Sequence, residues 1–173
     1  MIETFTCDYH SPIGLIEITG SDSGISSLLF VDREERSTVV PACLQDCLQQ
    51  LDEYFKGQRN EFKLTLDLHG TSFQKRVWQE LMTIPFGKTV SYLDIALALG
   101  ARKSIRAVGG ANGKNPVCIV VPCHRVIGSN GSLIGYGGGL WRKEWLLKFE
   151  SRGGQTNLFE SVHAETKPRN TLR

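Results

Sequence analysis

The sequence predicts an α+β chain, with an antiparallel sheet and one helix at the N-terminal end and a mainly helical unit behind them. Three observations lead there. Short runs alternate apolar and polar residues through the first third, apolar residues recur at helical spacing from about residue 41, and helix-start signals cluster after residue 70. Thr4 to Tyr9, Leu15 to Thr19 and Ile25 to Val31 are separated by the turn-rich Ser11-Pro12-Ile13-Gly14 and Gly20-Ser21-Asp22-Ser23-Gly24, which suits a three-stranded meander. Leu44, Leu48, Leu51 and Phe55 then mark one face of a helix from about Pro41 to Lys56, with Pro41 suited to the first turn and Gly57 to the stop. Cys43 and Cys47 on this helix read as core. Phe62 to Leu68 alternates again and His69-Gly70 begins a linker. The expected units are therefore 1–70 and 71–150, followed by a polar, mobile tail over 151–173 that can be removed after Glu150 without loss.

Beyond the linker, Thr71-Ser72-Phe73-Gln74 has the pattern of a capping box, with Phe73, Val77 and Leu81 as the apolar stripe behind it and Pro85 and Gly87 beyond its end. Ser91-Tyr92-Leu93-Asp94 opens a short helix from Tyr92 to Leu99, stopped by Gly100, and a further segment runs from about Ser104 to Asn112. Two short helices joined by a tight glycine-containing turn form a helix-turn-helix pattern. Val117-Cys118-Ile119-Val120-Val121 reads as a buried strand ending at Pro122. Gly128, Gly131, Gly135, Gly137, Gly138 and Gly139 follow, a density that permits close backbone approach to a ligand. Trp141, Trp145 and Phe149 mark the expected buried face of a last helix, with Glu144 beside it.

At 173 residues, 40% hydrophobic and 22% charged, the composition is that of an ordinary globular protein. No apolar run is long enough to cross a bilayer, and Met1-Ile2-Glu3-Thr4 lacks the features of a signal peptide, so a cytoplasmic protein without membrane contact is expected. Five cysteines, an odd number in a chain large enough to build a core, point to free thiols in a reducing compartment. The net charge of +2 hides a division. Residues 1–68 hold 5 Lys/Arg against 12 Asp/Glu, a balance of −7, whereas residues 69–150 hold 11 against 4, a balance of +7. Such a split fits a chain whose second half meets a polyanion, nucleic acid first among them. Arg102, Lys103, Arg106 and Lys114 surround the second helix of the pair, with no acid between residues 95 and 143.

Pro122-Cys123-His124-Arg125-Val126 is the most informative stretch. A cysteine carried off the end of a buried strand, with an imidazole next to it, has the parts of an activated thiol, because a nearby base raises the small thiolate fraction of an ordinary cysteine at neutral pH. The pair alone also fits a core cysteine beside a surface histidine.

The wider pattern resembles the O6-alkylguanine-DNA alkyltransferases. The matching residues are Ile84-Pro85-Phe86-Gly87 with Ser91-Tyr92, Arg106-Ala107-Val108-Gly109-Gly110-Ala111, Asn115-Pro116, Pro122 to Gly128, and Gly138-Gly139 with Lys143-Glu144-Trp145-Leu146-Leu147. Ser11-Pro12-Ile13-Gly14 and Tyr54-Phe55-Lys56-Gly57 extend it more weakly toward the N-terminus. The resemblance implies a ribonuclease-H-like N-terminal unit and a helical DNA-binding unit. It also implies a monomeric repair protein, without cofactor, that acts on double-stranded DNA containing O6-alkylguanine and flips the damaged nucleotide out of the stack. Cys123 would accept the alkyl group, irreversibly and once per molecule. His124 would take its proton through a water, and Glu144 would orient the imidazole. Tyr92 would hydrogen-bond guanine N3, Arg106 would enter the gap left in the stack, and Asn115 would brace the turn before the acceptor. Arg102, Lys103, Ala107, Gly109, Lys114 and Arg125 would meet DNA beside Tyr92 and Arg106. The Cys123 and Val126 carbonyls would accept from the guanine amine, with Tyr136, Gly137 and Gly138 closing the pocket.

Three departures accompany the resemblance. Gly137 stands where several relatives have serine, which removes a side-chain contact. Cys118 lies five residues before Cys123, an odd separation that in a regular strand faces it away from the acceptor, so it reads as core. Some relatives hold zinc in the N-terminal unit, but here Cys7 and His10 are the only close pair and His69 lacks a second cysteine, so no structural metal is expected. A lesion-binding relative that does not transfer the group is the alternative, and Cys123 itself argues against it. A cysteine hydrolase would leave the basic helices without a purpose.

Overall fold

The computed structural model describes residues 3–36 and 39–155. The three predicted N-terminal runs form an antiparallel meander of β1 (Phe5–Ser11), β2 (Gly14–Ser21) and β3 (Gly24–Phe30). Phe5 lies opposite Gly20 and Ser11 opposite Gly14 in the first pair, and a bulge between Thr19 and Gly20 interrupts the second. Alternation buries Cys7, Ile16, Ile18, Ile25 and Leu28, and α1 (Ala42–Phe55) supplies Leu44, Cys47 and Leu51 to the same core. Cys43 is only half-buried.

The free edge of β3 decides how the rest of the chain is attached. Near its start, Ile25 N–H donates to the Thr65 carbonyl and Asp67 N–H to the Ile25 carbonyl, both at 2.9 Å. Near its end, Leu28 N–H donates to Pro116 at 2.8 Å and Cys118 N–H donates to Leu28 at 2.9 Å. The run Phe62 to Leu68 is therefore not a full strand as expected. Only Leu66 bridges to the sheet, because a second segment takes the remaining edge.

The expected strand Val117–Val121 also proves different. Val117 makes a single bridge, after which the chain turns back on itself through Val120 N–H to Cys118 O at 2.8 Å and Val121 N–H to Val117 O at 3.0 Å. Ile119 sits at φ 70°, a left-handed conformation that is costly for a β-branched residue, and is buried there.

The second half opens with α2 (Ser72–Leu81), whose capping box is closed by Thr71 and Gln74 in both directions. The two-residue strand β4 (Val90–Ser91) leads into α3 (Tyr92–Ala98), capped by Ser91 and Asp94, and a turn through Gly100 and Arg102–Ser104 leads to α4 (Ile105–Gly113). Trp78 of α2 donates from Nε1 to the Ala111 carbonyl of α4 at 2.9 Å, which fixes the two helices in register. A second two-residue strand, β5 (Val126–Ile127), pairs in parallel with β4, and α5 (Leu140–Ser151) closes the chain. Buried side chains from both halves form one continuous cluster. Among the described residues no helix is long and apolar enough to cross a membrane.

The face that α5 buries departs from the expectation. Trp141 is exposed, whereas Arg142, Lys143, Leu146, Phe149 and Glu150 are buried. Positions 143, 146 and 150 share one stripe at helical spacing. The other stripe, 141, 145 and 149, serves only partly as core: Trp145 and Phe149 stack at 5.1 Å while Trp141 lies outside.

The tail boundary shifts as well. Gly154 N–H donates to the Phe149 carbonyl and Gly153 N–H to the Glu150 carbonyl, both at 3.0 Å, with both glycines at positive φ, a Schellman ending for α5. Gly154 packs against Gly57 so closely that a Cβ on Gly57 would collide with the Gly154 carbonyl oxygen. Residues 151–154 thus belong to the body, and the expected mobility of 156–173 falls outside the described residues. Truncation after Gln155 keeps that ending intact. Truncation after Glu150 removes the helix ending and sets a terminal carboxylate beside the Glu150 side chain, and should cost about 1 kcal/mol or more, a drop of a few degrees. Calorimetry of the two truncations checks this, and equal melting temperatures would show that the cap does not matter.

Candidate active site

The turn that leaves β3 at Val117 delivers Cys123 to the wall of a cavity of about 250 Å³, lined also by Phe30, Asn112, Asn115, Cys118, Tyr136, Gly137 and Gly138. Asn115 ties the turn: its Nδ2 donates to the Val121 carbonyl at 2.7 Å, and its Oδ1 accepts from Val117 N–H at 3.0 Å. Asn112, which sequence reasoning missed, donates from Nδ2 to the Cys123 carbonyl at 3.5 Å. That carbonyl, expected to read a ligand amine, already has a long partner within the protein. Tyr136, Gly137 and Gly138 stand on the cavity wall. Val126 does not: it is fully buried in the β4–β5 pair opposite Val90.

His124 follows Cys123 into the interior and is completely buried. Its Nε2 hydrogen-bonds Oε1 of Glu150 at 2.8 Å, and its Nδ1 is buried without a hydrogen-bond partner. The expected orienter, Glu144, lies on the outer face of α5, where it pairs with Lys148 at 2.9 Å. The cause is the helical phase: with Lys143, Leu146 and Glu150 inward, Glu144 is rotated out, and Glu150, seven residues after Lys143, occupies the inner stripe.

Glu150 is a hub. Oε1 accepts from the Tyr54 hydroxyl at 2.7 Å and from Arg125 Nη2 at 2.9 Å, in addition to meeting His124. Oε2 accepts from Arg125 Nε at 2.8 Å and from Gly87 N–H at 3.1 Å. Arg125 is consequently buried, with Nη1 on the Ile84 carbonyl at 2.6 Å, and it does not face DNA as expected. Burial alone would raise the Glu150 carboxyl, but His124 and Arg125 outweigh it and hold the group well below the usual carboxylate range. Burial lowers the imidazole of His124 more than Glu150 raises it, so the ring stays neutral at neutral pH.

Cys118 stands on the same wall as Cys123, contrary to the expectation of opposite faces, because the turn at residues 118–121 abolishes strand alternation. The Cys118 thiol, donating to the Cys123 sulfur, is the main reason that Cys123 lies below the ordinary thiol value, with Asn115 and the Lys143 ammonium assisting and burial opposing. Lys143 is fully buried, and its Nζ donates to the Ile134 carbonyl at 2.9 Å; burial brings its amine down to about 8. The Tyr92 hydroxyl donates to the same carbonyl at 2.8 Å, which ties the glycine-rich segment across a second cavity of about 300 Å³. Asn112, Gly113, Gly135 and Tyr136 line both cavities, so the two adjoin. Ile105 and Gly109 of α4 line the mouth of the second, and Arg102, Lys103, Arg106, Ala107 and Lys114 are exposed around that helix.

Replacing Glu150 by Gln should therefore be felt twice. A carboxyl held low in the folded state contributes stability that is present above its unfolded value of 4.5 and is lost as pH falls below it toward the folded value. Glu150→Gln should cost about 3–5 kcal/mol at pH 7, by leaving Arg125 buried without its counter-charge, and should flatten the acid limb of the stability curve. Glu144→Gln should change neither. Urea unfolding of both variants between pH 3 and 7 checks this, and equal effects would return the orienting role to Glu144.

The fold and these residues have recognisable relatives. Residues 72–152 match the family model of the 6-O-methylguanine DNA methyltransferase DNA binding domain, and residues 6–68 that of its ribonuclease-like domain. A methylated-DNA–protein-cysteine methyltransferase of Mycolicibacterium paratuberculosis is 48% identical over 163 residues, covering 91% of this chain and 98% of the relative. One from Methanosarcina barkeri is 43% identical over 146 residues, covering 81% and 92%. Mycobacterium tuberculosis OGT, in a crystal structure with DNA, superposes with a TM-score of 0.81 at 43% identity, over 91% of this chain and 98% of that one. The chain belongs to the 6-O-methylguanine DNA methyltransferase family.

Proposed function

We propose that this protein repairs alkylated DNA by moving the alkyl group from guanine O6, and less readily from thymine O4, to the sulfur of its own Cys123. The supporting observation is the placement of that thiol. It lies on a cavity wall, lowered toward its thiolate, next in sequence to a neutral imidazole braced by Glu150, with basic residues on the nearest exposed helix. The relatives named as methylated-DNA–protein-cysteine methyltransferases carry the same activity in their names.

In the reaction the Cys123 proton passes to His124, whose neutral ring has Nδ1 open to accept it while Nε2 is held by Glu150. The sulfur attacks the alkyl carbon, the carbon–O6 bond breaks, and guanine leaves with the electron pair and regains a proton. Glu150, with Tyr54, Arg125 and Gly87 on its oxygens, stays ionised and steadies the imidazolium, the role that an orienting carboxylate plays in hydrolase triads. Tyr92 stands at the cavity mouth with its hydroxyl on the Ile134 carbonyl, and the entering base takes over that hydroxyl as donor to N3. Arg106, exposed on α4 next to Ile105 at the mouth, is placed to fill the gap left in the base stack. Arg102, Lys103 and Lys114, with the backbone at Ala107 and Gly109, meet phosphates, which carry no sequence information. The pair α3–α4 acts as a helix-turn-helix on a monomer bound to duplex DNA, in the cytoplasm.

Arg106→Ala should slow repair of duplex DNA far more than reaction with free O6-alkylguanine base, because only the duplex leaves a hole to fill. Tyr92→Phe should slow both. Equal sensitivity of the two substrates to the Arg106 change would remove the intercalating role.

Transfer should also stop at one equivalent. The thioether on Cys123 has no group that water displaces under mild conditions, and Cys123→Ala should bind methylated DNA but transfer nothing. Titration of protein against excess O6-methylguanine oligonucleotide, followed by intact mass, reads both. Turnover past one equivalent, or a methyl group appearing on the alanine variant, would place the chemistry elsewhere.

A further inference from the structure

Cys118 is a buried nucleophile that methyl transfer as described does not consume. The double turn between Val117 and Cys123 brings it onto the wall of the cavity that also carries Cys123. Four residues separate the two, so the contact is local and does not depend on movement of distant parts of the chain. Cys7, Cys43 and Cys47 do not line this cavity. Burial pushes Cys7 up to about 11 and Cys47 up to about 12, so an oxidant meets both as slow-reacting thiols.

We propose that Cys118 and Cys123 form a reversible disulfide when the protein meets a hydroperoxide, which shields the acceptor sulfur from further oxidation and suspends alkyl transfer until a thiol reductant reopens the bond. The Cys123 thiolate attacks the terminal peroxide oxygen, the O–O bond breaks, and the departing oxygen takes a proton and leaves as water from hydrogen peroxide or as the alcohol from an organic hydroperoxide, so that Cys123 becomes a sulfenic acid. The Cys118 sulfur then attacks the Cys123 sulfur, and the hydroxyl of the sulfenic acid leaves as water with the Cys118 proton. The peroxide is reduced by two electrons and the thiol pair is oxidised by two. A neighbouring thiol on the same cavity wall reacts before a second peroxide arrives, which is how a resolving cysteine prevents the irreversible sulfinic state. A ring closed by so short a turn, with Ile119 already in the left-handed region, favours a bond that a reductant opens readily. The disulfide itself does not depend on the function of Cys123, whereas the suspension of transfer rests on Cys123 being the alkyl acceptor.

Both cysteines lie in one tryptic peptide, Asn115 to Arg125, between Lys114 and Val126. The reduced full-length protein is treated with a small excess of hydrogen peroxide, blocked with iodoacetamide, digested and weighed, and a parallel sample is assayed with an O6-methylguanine oligonucleotide. The expected result is a peptide lighter by two hydrogens and unalkylated, with transfer nearly abolished, and both restored by dithiothreitol. In Cys118→Ser, Cys123 should instead gain two or three oxygens, and transfer should not recover. If that variant does not fold, mapping of the wild type still decides. Added oxygens on Cys123 of the wild type, or pairing with Cys7, Cys43 or Cys47, would overturn the proposal. The lighter peptide with transfer intact would uphold the disulfide and remove Cys123 as the acceptor.

Discussion

The Glu150 carboxylate joins parts of the chain that sequence keeps far apart. Tyr54 reaches it from α1, Gly87 from the loop after α2, His124 and Arg125 from the turn that follows the cysteine, and Glu150 itself comes from α5. A buried ion is expensive unless its lone pairs are filled, and here each oxygen is met more than once. The cost of burial thus becomes a specification: the helix has to seat at one rotation and one height, and the imidazole has to point one way. Acidity, orientation of the base and docking of the last helix are consequences of the same set of hydrogen bonds.

A second constraint acts from the other side of the cysteine. The edge of β3 accepts Pro116–Cys118 as a short fragment of strand, and Asn115 then forces the chain to turn, with Ile119 driven into a conformation β-branched residues avoid. Strain next to a reactive group is tolerated when the surroundings over-determine it. Here Asn115 on one flank and Glu150, through His124 and Arg125, on the other hold the cysteine between them. Arg142 adds a tie across the halves, with Nε on the Ile13 carbonyl at 2.7 Å and its guanidinium 4.6 Å from the Phe30 ring. Such ties hold the two halves, whose opposite net charges also attract, onto one core.

Most of the fold was legible without coordinates. The meander followed from alternation and from turns at Ser11–Gly14 and Ser21–Gly24, α1 was placed within a residue of its bounds, and the caps of α2 and α3 were read from Thr71, Gln74, Ser91 and Asp94. These features are local, decided by residues within one turn or one strand of each other. The cysteine, the neighbouring histidine and the brace at Asn115 were legible for the same reason, since they lie within ten residues around one turn. The misreadings share the opposite property. Two stripes of α5 each carry enough aromatic and aliphatic residues to pass for the core face, and periodicity gives no phase between them. Lys143 and Glu150, charged residues at an i, i+7 separation flanking Leu146, were the available signal that the second stripe was inward.

The sequence by itself determined the fold class, the sheet, the helices and their caps, the charge division and the thiol proposed as the acceptor. Each of these depends on hydrophobic period, backbone capping or residue chemistry over short distances. Only the tertiary structure decided that Glu150 and not Glu144 braces His124, that Arg125 serves the interior, that α5 needs residues beyond Glu150 to end, and that Cys118 shares a wall with Cys123. The physical reason is common to all four. Which face of a helix is buried, and whether an apolar run continues as a strand or turns back, depends on partners brought from elsewhere in the chain, here Tyr54, Gly87, Gly57 and the edge of β3.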